Sequence, residues 1–109
     1  MSKPYITNLK EKSIWKCNCV IWARSKVEKL PHGLWIIGDK KKIINDQIPQ
    51  IGSVAILNVG MPWGHCAVVH RIGKNHITIR EANYRTCRLT ERHDSPLNLK
   101  IVGYFNPNK

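Results

Sequence analysis

Apolar residues that recur every three or four positions predict one amphipathic helix in the first third of the chain. The pattern begins after Asn18, a residue type whose side chain often caps helices, and continues to Leu30, where a proline and a glycine follow. Cys19 is therefore the first residue of the predicted helix. We interpret the polar, weakly patterned residues 1–17 as a leading arm with one short helical turn at residues 8–15.

The second half of the chain has the apolar patterns of β-strands. Four apolar segments bounded by turn-forming residues predict strands; they lie at residues 53–59, 65–72, 77–84 and 97–105. Residues 34–44 place apolar side chains around a cluster of lysines, which predicts a loop and a short surface helix. Helices followed by strands are typical of the α+β class, so we predict a small antiparallel sheet of about four or more strands packed on the first helix.

The second and third predicted strands form a hairpin whose register can be predicted from burial. Because side chains alternate between the two faces, His65 shares a face with the apolar residues of its strand, and Glu81 and Asn83 share a face of the next strand. A three-residue connection at residues 73–75 matches the apolar faces and pairs His65 with Asn83. The same register pairs Ala67 with Glu81. A two-residue connection shifts the register by one and turns one apolar set to the wrong face, so we predict the first register.

These residues have the chemistry of a cysteine nucleophile site. We expect the predicted helix to pack on the same face, which brings Cys19 close to His65. A helix N-terminus and a nearby imidazolium both lower the pKa of a thiol, and His65 can act as the general base. Glu81 or Asn83 can accept a hydrogen bond from the other ring nitrogen, and backbone N–H groups at the helix start can hold an oxyanion. The order cysteine, histidine, then asparagine or glutamate is that of papain-like enzymes.

The other cysteines are interpreted as residues outside the reaction. A disulfide framework is not expected, because the N-terminal residues lack the apolar segment of an export signal. The single residue between Cys17 and Cys19 does not match the spacing of zinc ligands, so we predict no metal site and no cofactor. Parity turns Cys66 away from the histidine face and predicts a small core residue. Cys17 is the alternative reactive thiol, since it lies only two residues before Cys19.

Size and charge limit the classes of protein to which the chain can belong. With 109 residues it can bury one modest core, so residues 18–109 are predicted to form a single domain. The 18 lysines and arginines exceed the 7 acidic residues, and the net charge of +11 attracts anionic cell-wall polymers, membrane surfaces or nucleic acid. No segment approaches 18 consecutive apolar residues, so no transmembrane insertion is expected. We expect a monomer.

Five short segments carry a family resemblance. They read NCVIWAR at 18–24, PQIGSVA at 49–55, GHCAVV at 64–69, ITIREANY at 77–84 and VGY at 102–104. In this order they resemble successive blocks of the CHAP domain, the cysteine, histidine-dependent amidohydrolase/peptidase group of the NlpC/P60 superfamily. The resemblance covers residues 18 to about 105. It implies a papain-like α+β fold in which the catalytic helix comes first.

The resemblance also assigns roles to individual residues. Cys19 matches the nucleophile, His65 the base and Glu81 the residue that orients the histidine. Asn83 matches a further polar position of the site. Apart from the resemblance, Trp63 lies two residues before His65, and the sequence leaves it open between a packing residue and a wall of the substrate groove. The implied substrate is bacterial peptidoglycan. The bond cut is then either the amide between muramic acid and L-alanine or a peptide bond within the stem or cross-bridge.

Phage endolysins and tail-associated enzymes are the members of the group that fit best, because they can lack a signal peptide and are often strongly basic. Such an enzyme is made in the bacterial cytoplasm and acts on the cell wall. Some phage members carry an acidic calcium loop before the cysteine. Residues 1–18 here contain one acidic residue, Glu11, so we predict no calcium site.

Two other functions stay open on the sequence alone. A papain-like cysteine peptidase or a toxin would use the same site on an amide outside the cell wall. A basic nucleic-acid-binding protein would account for the net charge. Nucleic acid is the less favoured partner, because the basic residues are dispersed and show neither a strand of stacking aromatic residues nor a recognition-helix pattern.

Overall fold

A six-stranded antiparallel sheet forms the centre of the protein, and two helices accompany it. A computed structural model describes residues 5–11, 13–84 and 86–109. The elements are β1 Tyr5–Asn8, α1 Cys19–Lys26, α2 Ile37–Lys42, β2 Val54–Leu57, β3 His65–Ile72, β4 Ile77–Ala82, β5 Leu89–Asp94 and β6 Ile101–Phe105. The strands lie in the order β1-β5-β4-β3-β2-β6. The predicted α+β class is confirmed. Among the residues described, no helix is long and apolar enough to cross a membrane.

Helix α1 begins where the sequence predicts and ends earlier. Asn18 has an extended backbone, and its side-chain oxygen accepts a hydrogen bond from the N–H of Ile21 at 3.0 Å, which caps the helix. The last helical residue is Lys26, four residues before the predicted end at Leu30. The Arg24 side chain donates hydrogen bonds to the backbone oxygens of Leu30 (3.0 Å) and Pro31 (2.7 Å). The chain therefore leaves the helix in a turn that is held by an arginine of that helix.

Strands β1 and β5 make the sheet larger than the pattern predicts. β1 lies within the residues assigned to the leading arm and pairs with β5 along its whole length. The predicted helical turn at 8–15 is wrong, because the turn of the arm lies at residues 14–17. Residues 1–4 and 12 of the arm lie outside the described residues. β5 escapes prediction because its buried positions include a charged residue, Arg92.

Buried side chains form two apolar clusters, one on each face of the sheet. One cluster joins α1 to the face that carries Cys66; it contains Trp22, Ala23, Val27, Leu30, Leu34, Val54, Ile56, Cys66, Ala82 and Leu89. The other contains Ala55, Leu57, Ala67, Val69, Ile77, Ile79, Leu99 and Tyr104. The prediction that α1 packs on the His65 face is therefore wrong. That face is covered by Leu99 from the segment before β6, so Trp22 and Ala23 bury against the opposite face.

The β3–β4 hairpin has the predicted register at Val69, but its turn is shorter than predicted and β3 contains a register shift. The N–H of Gly73 donates to the backbone oxygen of His76 at 2.8 Å, which closes a two-residue turn instead of the predicted three-residue connection. A register shift between Val69 and Arg71 compensates for the shorter turn. As a result Val69 lies opposite Ile79, as predicted, and the apolar faces match.

A disulfide between Cys17 and Cys87 joins the arm to the loop between β4 and β5. The expectation of no disulfide is wrong for this pair, and the bond removes Cys17 as a reactive thiol. The two cysteines are 70 residues apart in the sequence, and spacing alone does not reveal which cysteines of a chain come together. Cys19 and Cys66 are free.

Replacing both half-cystines by serine, Cys17→Ser with Cys87→Ser, is expected to lower the free energy of unfolding by about 4 kcal/mol, because a cross-link over a long segment restricts the unfolded chain. Urea denaturation of the oxidised wild type and the double variant measures the difference. As a control, a reductant should lower the midpoint of the wild type and leave that of the double variant unchanged. Equal midpoints for the oxidised wild type and the double variant would contradict a stabilising disulfide.

Candidate active site

Three elements bring together the predicted nucleophile, base and orienting residue. Cys19 is the first residue of α1, His65 is the first residue of β3, and Glu81 lies next to the end of β4. His65 and Glu81 are buried, and Cys19 is half-buried. The start of α1 meets the start of β3, which brings the thiol and the imidazole close enough for each to shift the pKa of the other, although the body of the helix packs on the other face.

Glu81 is the centre of a buried hydrogen-bond network. Its Oε1 accepts a hydrogen bond from Nε2 of His65 at 2.9 Å. Arg92 donates from Nη2 to the same oxygen at 2.8 Å and from Nε to Oε2 at 2.6 Å, and its guanidinium carbon lies 3.5 Å from the centre of the Tyr84 ring. Burial raises the pKa of Glu81, but the hydrogen bonds from His65 and Arg92 outweigh it and hold this pKa below its usual value. The carboxylate therefore stays charged and fixes the histidine ring.

The pKa shifts of Cys19 and His65 favour a thiolate beside an imidazolium. A hydrogen bond from the Cys66 side chain lowers the pKa of Cys19 to about 4, against the effect of burial and with the help of the hydrogen bond and charge of His65. Burial lowers the pKa of His65, but hydrogen bonds and charges of Cys19 and Glu81 outweigh burial and raise it to about 9. Thiolate and imidazolium coexist between these two values. Because Nε2 of His65 forms a hydrogen bond with Glu81, Nδ1 is the ring nitrogen that is available to Cys19.

Cys66 is a buried core residue, as predicted, and it also influences the thiol of Cys19. Its side chain is fully buried on the face opposite to that of His65, as parity predicts, but this is the face on which α1 packs. The side chain and the backbone of Cys66 both lower the pKa of the Cys19 thiol through hydrogen bonding. The hydrogen bond to Cys19 and burial raise the pKa of Cys66, so it stays a neutral donor. The alternation of side chains along β3 was predicted correctly, but the face of the sheet on which α1 packs was not.

The amide of Asn83 forms a hydrogen bond with the arm rather than with the ring of His65. Its Nδ2 donates a hydrogen bond to the backbone oxygen of Cys17 at 3.0 Å, whereas the acceptor for the ring of His65 is Glu81. The φ angle of Asn83 is 57°, in the left-handed region that asparagine tolerates better than most residues. Asn83 and the disulfide together hold the chain two residues before Cys19, so Asn83 is a candidate positioning residue.

A groove of about 640 Å³ opens beside the thiol. Trp63 lines it and is 61 % exposed, which favours the groove wall over the packing residue that the sequence also allows. Trp35 lines the same groove and is 78 % exposed, although no sequence pattern selects it. In the described part of the chain, no group of three or more histidine, cysteine or acidic side chains is arranged to hold a metal ion.

Two buried charged residues near the site are missed by the sequence analysis. Arg92 carries no apolar signal, because it stands between a glutamate and a histidine in β5, so a search for apolar residues overlooks it. Lys40 stands in a run of three lysines whose other two members, 41 and 42, are exposed. Its Nζ donates hydrogen bonds to the backbone oxygens of Leu34 and Trp63, each at 2.9 Å. Lys40 therefore ties together the two loops that form one wall of the groove.

Arg92→Met is expected to lower the free energy of unfolding at pH 7 by about 3 kcal/mol, because it leaves the buried carboxylate of Glu81 without its guanidinium partner. Arg80→Met is the matched control, since Arg80 forms a partly exposed pair with Glu91 between the same two strands. The control should lose less than about 1 kcal/mol. Urea denaturation measures both variants. Equal losses would show that the buried pair stabilises the fold no more than the surface pair.

Cys19 is expected to react with iodoacetamide at pH values far below those at which ordinary cysteines react. In the wild type the rate should reach half of its plateau near pH 4, where the thiolate forms. His65→Ala removes the imidazolium and should reduce the rate at pH 6 by about tenfold or more. His70→Ala, which changes a half-buried histidine of the same strand, should have no effect. A midpoint near pH 8, about that of a free thiol, would contradict the ion pair.

Comparison with known proteins identifies no family for the chain. No protein-family model matches it, and no curated protein matches it. Among solved structures, the chain is similar to the crystal structure of Ly7917, with 27 % sequence identity and a TM-score of 0.49. The similarity covers 59 % of this chain and 31 % of that chain, so the matched region is less than a third of that protein.

Proposed function

We propose that the protein is a cysteine-dependent peptidoglycan hydrolase of the CHAP type with a papain-like site. The main support is the arrangement of Cys19, His65 and Glu81: a thiolate at a helix N-terminus, an imidazolium bonded to it and a buried carboxylate behind the ring. The segments that resemble CHAP blocks supply these three residues in the order of that family. Strongly shifted pKa values at a thiol and an imidazole are typical of catalytic sites, and nucleic-acid binding does not require them, so we favour an enzyme.

The first half of the reaction is the acylation of Cys19. The thiolate attacks the carbonyl carbon of the scissile amide, and negative charge moves to the carbonyl oxygen. The N–H of Ile21 donates to the side chain of Asn18, and the N–H of Trp22 donates to the backbone oxygen of Asn18. The N–H groups before them in α1, those of residues 19 and 20, are proposed to hold the oxyanion. The imidazolium of His65 donates its Nδ1 proton to the leaving nitrogen, the C–N bond breaks, and an acyl thioester remains.

The second half of the reaction is hydrolysis of the thioester. The neutral His65 takes a proton from water on Nδ1 while the water oxygen attacks the thioester carbonyl. The C–S bond breaks, Cys19 leaves as a thiolate, and the acyl group departs as a carboxylic acid. Glu81 keeps its hydrogen bond to Nε2 in both halves, so the ring presents Nδ1 to Cys19 throughout. One amide and one water thus become one amine and one acid.

Charge and exposed aromatic residues support a cell-wall polymer as the substrate. The net charge of +11 attracts anionic polymers of the wall. Trp35 and Trp63 offer flat apolar surfaces in the groove beside the thiol. The bond proposed is the amide between muramic acid and L-alanine or a peptide bond of the stem or cross-bridge, and the site of action is the bacterial wall, as in phage endolysins.

Mass spectrometry of purified peptidoglycan after digestion by the wild type and by Cys19→Ala tests the proposal. In the wild type, cleavage at muramic acid should free a lactyl carboxyl group and the amine of L-alanine. Cleavage within the peptide should free an amino-acid carboxyl group and an amine, so the fragment masses identify the bond. Cys19→Ala should lower the rate by roughly a thousandfold or more, because the nucleophile is lost. His70→Ala is the matched control and should stay active.

Two outcomes would contradict the proposal in different ways. Retained activity in Cys19→Ala would exclude Cys19 as the nucleophile. Identical products from the wild type and from buffer would exclude peptidoglycan as the substrate. The same site would then have to act on an amide outside the wall, as a papain-like peptidase or a toxin does.

A further inference from the structure

Lys40 is a buried cation that has no carboxylate partner in the described part of the chain. It is 2 % exposed, and among the described residues its ammonium donates hydrogen bonds only to the backbone oxygens of Leu34 and Trp63. The neighbouring acid, Asp39, turns its carboxylate to the N–H groups of residues 35 and 36. Buried charges in proteins are normally paired with an opposite charge, so an anion is the group that would complete the surroundings of this ammonium.

Arg24 adds a second cation to the same groove. Its guanidinium is bonded through Nε and Nη2 to the backbone oxygens of Leu30 and Pro31, and it forms no ion pair with an acid of the described residues. Arg24 and Lys40 both line the groove into which the thiol of Cys19 opens. Two backbone-bonded cations therefore belong to the lining of the groove that Cys19 also lines.

The groove has no acidic wall. None of the described residues that line it is an aspartate or a glutamate. The thiolate of Cys19 and the imidazolium of His65 balance each other, so Arg24 and Lys40 leave the groove with net positive charge. Charges in a partly desolvated groove act on one another more strongly than charges in bulk water, and salt screens them less. Such a groove attracts a substrate that carries a carboxylate.

We propose that Lys40, together with Arg24, forms a subsite for a substrate carboxylate close to the scissile amide. The subsite rests on the proposed function and narrows its substrate to wall peptides that carry a free carboxylate near the bond, in preference to peptides in which that carboxylate is amidated. Lys40 is then a specificity-determining residue, because its ammonium meets a charge of the substrate and takes no part in the bond changes at Cys19.

Two alkylating reagents of similar size test the subsite without any assumption about the natural substrate. Iodoacetate carries a carboxylate, and iodoacetamide is its neutral amide. The ratio of their rates at Cys19 therefore measures the attraction of the groove for an anion. The variant is Lys40→Met, and the matched control is Lys41→Met. Lys41 is the exposed neighbour on the same helix, so both substitutions remove one positive charge from the protein.

The ratio of the iodoacetate rate to the iodoacetamide rate should fall by about tenfold in Lys40→Met and by less than about twofold in Lys41→Met. Equal ratios in the two variants would overturn the subsite and leave the proposed function intact. Failure of both reagents to modify Cys19 in the wild type would overturn the proposed function and the subsite with it.

A second variant keeps the test decisive if Lys40→Met fails to fold after losing its two hydrogen bonds. Arg24→Gln should then lower the same ratio, and an unchanged ratio would overturn the subsite.

A pair of synthetic stem peptides, identical except for a carboxylate or a carboxamide next to the scissile bond, gives an independent readout. The wild type should cleave the acid with the higher kcat/KM, and Lys40→Met should lose most of that preference. Equal kcat/KM values in the wild type would overturn the subsite.

Discussion

The buried carboxylate of Glu81 is the group on which the rest of the site depends. This charge has no exposed surface, so it must be compensated inside the protein. His65 on one neighbouring strand and Arg92 on the other supply the compensation, which requires three adjacent strands of the sheet to keep their register. The same network raises the pKa of His65 and lets the imidazolium coexist with the Cys19 thiolate. Stability and the proposed chemistry therefore share one set of hydrogen bonds.

Cys19, the proposed nucleophile, is held by contacts from several elements, and its helix of eight residues is too short to be stable alone. Asn18 caps the helix at the residue before the thiol. The disulfide of Cys17 with Cys87 and the hydrogen bond from Asn83 anchor the residues that precede the cap. Cys66 of β3 lowers the pKa of the Cys19 thiol through hydrogen bonding. The sulfur thus has a fixed place at the helix N-terminus, where the positive end of the helix dipole favours a thiolate.

The groove combines a balanced ion pair with uncompensated positive charge. Lys40 ties together the loops that carry Trp35 and Trp63, and its ammonium also gives the groove wall its charge. One residue therefore contributes both to the shape of the groove and to its electrostatic preference. The net charge of the whole protein acts at longer range and is screened beyond about 8 Å at physiological salt. In the proposed function this net charge attracts the protein to the anionic polymers of the wall, whereas the charge of the groove acts on the bound substrate.

Local patterns determined the start of α1, four of the six strands and the face shared by His65 and Glu81, because the periods of helices and strands are set by neighbouring residues. The position of Cys19 at a helix N-terminus follows from the same kind of pattern. Only the tertiary structure decided which face α1 covers, which cysteines pair, and where strands β1 and β5 lie. It also decided the burial of Lys40 and Arg92. The physical reason is that a charged side chain can be buried only where a distant segment supplies its hydrogen-bond partners, and no local period records that contact.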